Sequence, residues 1–347
     1  MKKLLYVAST YSHIKNFHLP YIKSLKEKYE VDILSNGKES DYNIPFKKKL
    51  FSFINLLLIF KIRRIIKNNK YSAIILNTSL AAFLTRLALP KRRRPFVINI
   101  VHGYLFDENT NRLKRSLLLM CEKINKRKTD VNLTMNNYDY EISRRYKLAK
   151  KTYFIYGMGV EKLKENEHNP YDKYKFNLLY VGELSDRKNQ IFIIKAMKYL
   201  IQYIPSIHVT FIGGGNNLLK YQQYCKRHGL DEYISFTGYI DNPSNYYKYC
   251  DVYVSSSLSE GLPFNIINAM QFNKTIIYSN VKGHKDIYSV DSCGLLYSGE
   301  QDFIDKVINA YENHLCANGV KTFERYSFDE VFNENISLLN ELLENNI

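Results

Sequence analysis

Residues 251–278, DVYVSSSLSEGLPFNIINAMQFNKTIIY, read as strand, loop, helix, strand. Short β-prone runs at 251–254 and 274–278 flank a loop and an amphipathic stretch of helical length. Pro263 suits the first helical position, where its fixed φ is pre-set and it has no amide to lose. Ser259, Glu260 and Gly261 precede it, at the positive end of the helix dipole. The expectation is an anion site with a carboxylate at its lip.

Outward from this stretch the same alternation recurs. Towards the amino end it runs KLLYVAS, FHLPYIKSLKEK, VDILS, LFSFINLLLIFKIRRIIKNN, SAIILN, SLAAFLTRLAL and PFVINIV. From about residue 175 it starts again with NLLYVG, NQIFIIKAMKYLIQYI, HVTFIGGG, NLLKYQQYCKRHG and ISFTGYI. Short buried strands alternating with longer helices predict α/β architecture with a parallel sheet covered on both faces. Two such series predict two tandem doubly wound, Rossmann-like domains facing across a cleft, residues 1–165 and 166–325. The polar stretch YFIYGMGVEKLKENEHNPYDKYKF between them reads as a hinge. Residues 326–347 read as a terminal helix packing back at the junction, from its apolar positions at Val331, Phe332, Ile336, Leu339 and Leu343.

Ligands of open parallel sheets bind beyond the carboxyl ends of the strands. In the first domain those ends are 9–15, 77–79 and 102–106. In the second they are 182–190, 213–217, 238–241 and 255–263.

The formal charge of +16 is split unevenly. Residues 1–170 carry 34 basic and 14 acidic side chains, a balance of +20; residues 171–347 carry 16 and 20, a balance of −4. Opposite balances suggest different tasks for the two halves. Five scattered cysteines, Cys121, Cys225, Cys250, Cys293 and Cys316, form no CxxC pair, and no histidine stands at metal-ligand spacing. No metal site and no disulfide framework are therefore expected, and a reducing compartment fits. MKKLLYVAST has too short an apolar run for a signal peptide and reads as a first strand. The apolar run at 54–60 is broken by Asn55 and followed at once by Lys61, far short of a spanning helix. A cytoplasmic or peripheral protein is expected.

Five stretches in order carry a family resemblance: VHGYLF at 101–106, TDVNLTMNNYDYEIS at 129–143, YVGELSDRKNQ at 180–190, FIGGG at 211–215 and SEGLPFNIINAM at 259–270. With them the chain resembles, over nearly its whole length, bacterial glycosyltransferases of family 4 with the glycosyltransferase B fold, among the enzymes of capsular or exopolysaccharide assembly. The resemblance implies an acceptor-side first domain and a second domain that binds a nucleotide diphosphate sugar through a Glu-x7-Glu motif and a basic pair. Glu260 matches the first Glu, which contacts donor-sugar hydroxyls; Asn268 stands where the second Glu holds the ribose. A neutral amide there binds a hydroxyl more weakly than a carboxylate does. Glu183 and Lys188 occupy the positions of the basic pair. Lys188 is expected to neutralise the leaving diphosphate with help from the amides of Gly261 and Leu262. Arg187 is a candidate replacement for the missing charge, although adjacent residues usually diverge. Glu183, repelled by a diphosphate, is expected to turn toward Lys or Arg or toward the acceptor. His102 matches a histidine that reaches the donor sugar.

Further donor-side candidates are Gly182, Gly213, Gly214, Tyr239, Ile240 and Pro263; Gly213–Gly215 suggest a turn that lets backbone approach a nucleotide. His13 and His18, around the first loop and helix, are acceptor-side candidates. The resemblance implies retention of configuration without metal or cofactor, a uridine nucleotide and a lipid-linked saccharide acceptor.

Residues 51–100 hold ten Lys or Arg and no acid, including KRRR at 91–94. A basic amphipathic helix suits an anionic membrane surface; the same pattern also fits a core helix with a solvated charged face. A nucleic-acid partner would explain the charge, but there is no recognition module and the second half is acidic. A nicotinamide enzyme is disfavoured because ASTYSHIKN, after the first strand, has no glycine. A relative that binds sugar nucleotides without transfer remains the alternative, motivated by Glu183 and Asn268.

Overall fold

A computed structural model of the chain describes residues 1–47, 52–90, 94–165, 167–171, 175–291, 294–313 and 319–347. Residues 91–93 of the basic run, Cys293, Cys316 and positions 166 and 172–174 of the expected hinge lie outside the described residues. By internal contacts the chain divides into two units: Met1–Gly159 with Asp329–Ile347, and Val160–Phe328.

The first unit is a parallel sheet built on β1 (Lys3–Thr10), whose central residues are buried on both faces. Two short helices, α1 (Tyr11–Phe17) and α2 (Leu19–Leu25), follow it, then β2 (Glu30–Asn36) and β3 (Tyr42–Asn43). The chain continues through α3 (Phe53–Asn69), β4 (Ala73–Asn77), α4 (Ser79–Ala88), β5 (Phe96–Val101), α5 (Arg112–Asn125), β6 (Val131–Thr134), α6 (Asn137–Arg145) and β7 (Lys151–Phe154). Strand order is β3-β2-β1-β4-β5-β6-β7, parallel throughout. The winding reverses between β1 and β4, so their carboxyl ends diverge and leave a crevice for ligands.

The expected first loop, 9–15, is largely helical instead. Thr10 caps α1, its Oγ1 accepting from the amide of His13. The expected single helix at 17–28 is broken at His18 because Pro20 lacks an amide and clashes with the preceding turn.

The second unit repeats the plan with β8 (Phe176–Val181), α7 (Gln190–Tyr203), β9 (Ile207–Ile212), α8 (Leu218–Arg227), β10 (Ile234–Gly238), α9 (Ser244–Tyr249), β11 (Val252–Ser255), α10 (Phe264–Gln271) and β12 (Thr275–Ser279). α11 (His284–Asp291), β13 (Leu295–Tyr297), α12 (Glu300–Asn313) and α13 (Val320–Tyr326) complete it. Its order, β10-β9-β8-β11-β12-β13, reverses between β8 and β11, again parallel throughout. The core on one side of this sheet joins Leu178, Ile194, Met197, Val209, Phe211 and Val254. Full burial of such apolar side chains stabilises by about 1.5–3 kcal/mol each before entropy is counted. The two units therefore have the α/β, doubly wound parallel architecture expected from the alternation.

The last helix, α14 (Phe328–Glu344), packs within the first unit. Asn335, buried, donates to the Gly157 carbonyl (2.8 Å) and to the Tyr21 hydroxyl (3.3 Å), and the Phe332 ring meets Tyr21 at 4.9 Å. Among the described residues no helix is long and apolar enough to cross a membrane.

Candidate active site

In the second unit β8 and β11 are neighbours, so the loops that leave their carboxyl ends, 182–189 and 256–263, lie side by side. Buried hydroxyls latch them together. Tyr180 donates to the Lys188 carbonyl (2.9 Å), and Ser256 donates to the carbonyls of Lys188 (3.1 Å) and Asn189 (2.9 Å). The Leu258 amide donates to the Arg187 carbonyl (2.8 Å). Asn189 takes the left-handed conformation (φ 54°) that starts α7.

This turn carries both adjacent cations to one carboxylate. Lys188 Nζ lies 2.6 Å from Glu260 Oε1, and Arg187 Nη1 lies 3.0 Å from Oε2 and 3.1 Å from the Ser259 carbonyl. The usual divergence of neighbours, a property of strands, does not apply in this turn, and Arg187 joins the cluster. Glu260 is only 7% exposed. Burial pushes its carboxyl upward, but Lys188, Arg187 and His284 outweigh it and hold the group at about 2. Glu183 is exposed, forms no ion pair among the described residues, and offers only its carbonyl, to Gln190 (2.8 Å). Its expected turn toward a cation is not found.

The cluster has a third wall that the sequence reading did not single out, the loop after β12. The Glu260 amide donates to the Lys282 carbonyl (3.2 Å). Gly283 has φ 82°, and a Cβ there would stand 2.9 Å from the carbonyl oxygens of Glu260 and Gly261, so only glycine fits. His284 is fully buried, its Nδ1 2.8 Å from the Ser279 carbonyl, and its Nε2 has no hydrogen-bond partner among the described residues. Burial lowers its pKa to about 4, although Glu260 pulls the other way, which leaves a neutral ring beside the ion pairs. The legible signal was a histidine just after a short strand in a β–α loop.

Gly213 serves the chain's own backbone. A Cβ there would lie 2.2 Å from the Gly182 carbonyl oxygen, so the loop after β9 lies flat on the loop after β8, and Gly182 and Gly213 meet each other. A Cβ on Gly214 would face open space. Pro263 caps α10 rather than opening it; its carbonyl accepts from Ile266 and Ile267, and the helix starts at Phe264. Leu262 is buried beneath this turn, beside Gly261. Asn268 lies on α10, half-buried, with Oδ1 enclosed and its side chain turned toward the buried Tyr247 hydroxyl rather than toward the strand ends. Tyr239, 80% exposed, and Ile240 follow the edge strand β10, three strands from β11 and so about 14 Å from the charged cluster by strand spacing.

In the first unit the strand ends gather histidines. His13 comes from α1, His18 from the break between α1 and α2, and His102 from the end of β5. His18 Nε2 is 3.3 Å from His13 Nε2 and 3.1 Å from His102 Nε2, and Tyr6 Oη is 2.9 Å from His18 Nδ1. Absence of ligand spacing along the chain therefore does not hold in space. Enclosure drives all three pKa values down, that of His13 to about 4, with the neighbouring rings adding to the effect at His18 and His102. The 129–143 stretch supports this site: Asn136 caps α6 through Asp139 N (2.8 Å), and Asp139 accepts the Tyr104 amide (3.1 Å) in the loop behind His102. A cavity of about 490 Å³ lies at the opposite edge of this sheet, where Arg94 and Lys150 both pair with Asp130.

The helices of the first unit carry exposed apolar faces. α3 buries Leu58, Ile62 and Ile66 but exposes Phe53, Leu56, Leu57 and Phe60 beside Lys61, Arg63 and Arg64. Asn55, read as an interruption, is buried and bonded to the backbone of Lys47. α5, not singled out in the sequence, exposes Leu113 (83%), Leu117, Met120 and Ile124 at helical spacing.

Residues 161–325 match the family profile of Glycosyl transferases group 1. The chain is 28% identical over 327 residues to a putative glycosyltransferase, EpsD, of Bacillus subtilis, covering 88% of this chain and 84% of the relative. It is 27% identical over 283 residues to the UDP-Gal:alpha-D-GlcNAc-diphosphoundecaprenol alpha-1,3-galactosyltransferase of Escherichia coli, covering 77% and 71%. Anabaena Alr3699/HepE, solved with UDP and glucose, superposes with a TM-score of 0.74 at 16% identity over 98% of this chain and 100% of that one. Residues 161–325 are thus similar to a group 1 glycosyl transferase domain, in a chain with the glycosyltransferase B fold.

Proposed function

We propose that this protein is a retaining glycosyltransferase of family 4 that moves a sugar from a nucleotide diphosphate donor, most naturally a uridine one, to a lipid-linked saccharide in capsule or exopolysaccharide assembly. The observation that carries the reading is the buried Glu260 carboxylate held between Arg187 and Lys188 where β8 and β11 part. Two cations on one carboxylate leave positive charge for a second anion. Arg187 and Lys188 bind the diphosphate and stabilise the charge that grows on it as the glycosidic bond breaks, aided by the dipole of α10. Glu260, kept ionised, accepts hydrogen bonds from donor-sugar hydroxyls and fixes the ring. Asn268 is the candidate for a ribose hydroxyl, which it reaches by turning its amide away from the buried Tyr247 hydroxyl. The loops of Gly182, Gly213 and Gly214 flank the nucleotide, with Tyr239 and Ile240 further along the strand edge.

No side chain acts as nucleophile in this reading. The acceptor hydroxyl attacks the face from which the nucleotide leaves, and the departing phosphate oxygen takes its proton. Arg187 and Lys188 supply the counter-charge at the diphosphate, so that step needs neither metal nor cofactor. The acceptor lies at the carboxyl edge of the first unit's sheet, near His13, His18 and His102. Lipid linkage fits the exposed apolar and basic faces of α3 and α5, which suit an anionic membrane surface at the inner face of the cell membrane. The acceptor named for the Escherichia coli relative, a diphosphoundecaprenol saccharide, supports that class.

The test is transfer from a panel of sugar nucleotides to membrane lipid extracts. Glu260→Ala and Lys188→Ala each remove most turnover while circular dichroism stays unchanged. Full activity in either folded variant would contradict the assignment, and donor binding without transfer in the wild type would favour a non-catalytic binder.

A further inference from the structure

We propose that His13, His18 and His102 form a binding site for one divalent transition-metal ion of the zinc type. His18 Nε2 stands 3.3 Å from His13 Nε2 and 3.1 Å from His102 Nε2, and all three ligand nitrogens lie within 4.8 Å of one another. Imidazole nitrogens at 2.0–2.1 Å from a tetrahedral zinc ion stand about 3.3 Å apart. Two edges of the coordination triangle therefore already have the length that a metal imposes.

Hydrogen bonding alone accounts poorly for this convergence. A neutral imidazole has one N–H and one bare nitrogen. If His18 Nε2 carries the proton, it satisfies one neighbour and leaves the other. If it is bare, two donors compete for one lone pair. A cation receives all three lone pairs at once.

Local sequence builds the site from both sides. Thr10 caps α1 and sets His13; the helix break before Pro20 turns His18 back on it; β5 ends at Val101 and delivers His102. With Nε2 on the metal, His18 Nδ1 carries the proton and donates to Tyr6 Oη at 2.9 Å, the outer partner that orients a ligating histidine. Among the described residues no carboxylate or thiolate joins the three rings. The fourth position is thus open to an oxygen ligand, water or an acceptor oxygen, as in catalytic rather than structural zinc sites. Three imidazoles select zinc, cobalt, nickel or copper over magnesium or calcium. Nothing in this site depends on which donor the second unit takes.

The experiment is titration of untagged, chelator-stripped full-length protein with Co2+ alone, read by visible d–d absorbance, followed by displacement with Zn2+. One equivalent with tetrahedral bands is expected in the wild type, no 1:1 phase in His13→Ala or His102→Ala, and no competition from Mg2+. Tyr6→Phe keeps the buried ring and is expected to weaken Co2+ binding by about 10- to 100-fold. A folded wild type that binds no Co2+ overturns the proposal, as does a 1:1 phase that persists in His102→Ala. Should the alanine variants fail to fold, His102→Asn, which keeps a polar atom near the Nδ1 position but loses the ring edge that carries Nε2, and Tyr6→Phe decide it: unchanged affinity in both overturns the site.

Discussion

At the scale of single residues, Glu260 is the centre of the second unit. Its folded carboxyl, at about 2 against an ordinary 4.5, contributes stability fully present above about 4.5 and lost as pH falls toward 2. That contribution is on the order of 3 kcal/mol. Glu260→Gln, neutral at every pH, should therefore flatten the acid limb of a urea-unfolding series between pH 5 and 2; a limb as steep as that of the wild type would show that the carboxylate is not held as the geometry implies. Asn268 makes a milder test. A carboxylate accepts a hydroxyl about 1 kcal/mol better than an amide, so Asn268→Glu should lower the donor KM about fivefold. A KM that does not move would take Asn268 out of the ribose site. Glu260 stood out in the sequence because it directly precedes Pro263 and the start of α10, whereas Lys188 and Asn268 were named only through the family resemblance, which puts them at the basic pair and at the second Glu. The convergence of Arg187 on the same carboxylate was not, since it depends on the left-handed turn at Asn189. His284 was not singled out either, although its place just after a short strand was there to read; its burial is what the fold adds.

At the scale of elements, the strands were legible as short continuous apolar runs because both faces of a parallel sheet are covered. Helix ends were less so. α1 was read as a loop because Ile14 is the lone aliphatic residue among its seven and shows no apolar period, and its start depends on one cap, Thr10. The apolar stripe of α5 was not singled out in the sequence, and only the fold shows that Leu113, Leu117, Met120 and Ile124 are exposed. If that stripe and α3 meet a membrane, the protein should sediment with anionic liposomes at low salt and be released at high salt, each cation near the surface contributing about 1 kcal/mol. Leu117→Glu with Met120→Glu should abolish sedimentation without altering donor binding. Sedimentation unaffected by those changes would contradict the docking face.

At the scale of the whole molecule, the division of charge follows the division of structure: the basic first half supplies nearly all of one unit and the mildly acidic second half the other. Both candidate sites lie at the carboxyl ends of the strands, where the alternation of segments directed the search; the strand order and the points where each winding reverses were not legible in it. It did not foretell that the histidines at 13, 18 and 102 would meet, because β4 lies between the strands that deliver them. The central claim is that the second unit binds a nucleoside diphosphate through Arg187, Lys188 and Glu260. The most direct measurement is a thermal shift with UDP, GDP and ADP on the wild type and on Lys188→Ala. A ligand at a hundredfold excess over its Kd stabilises the fold by about 2.7 kcal/mol, several degrees in Tm. Such a rise is expected with one nucleotide, UDP above all, and is lost in Lys188→Ala; no rise with any of the three, or an equal rise in the variant, would rule out nucleotide binding at this cluster.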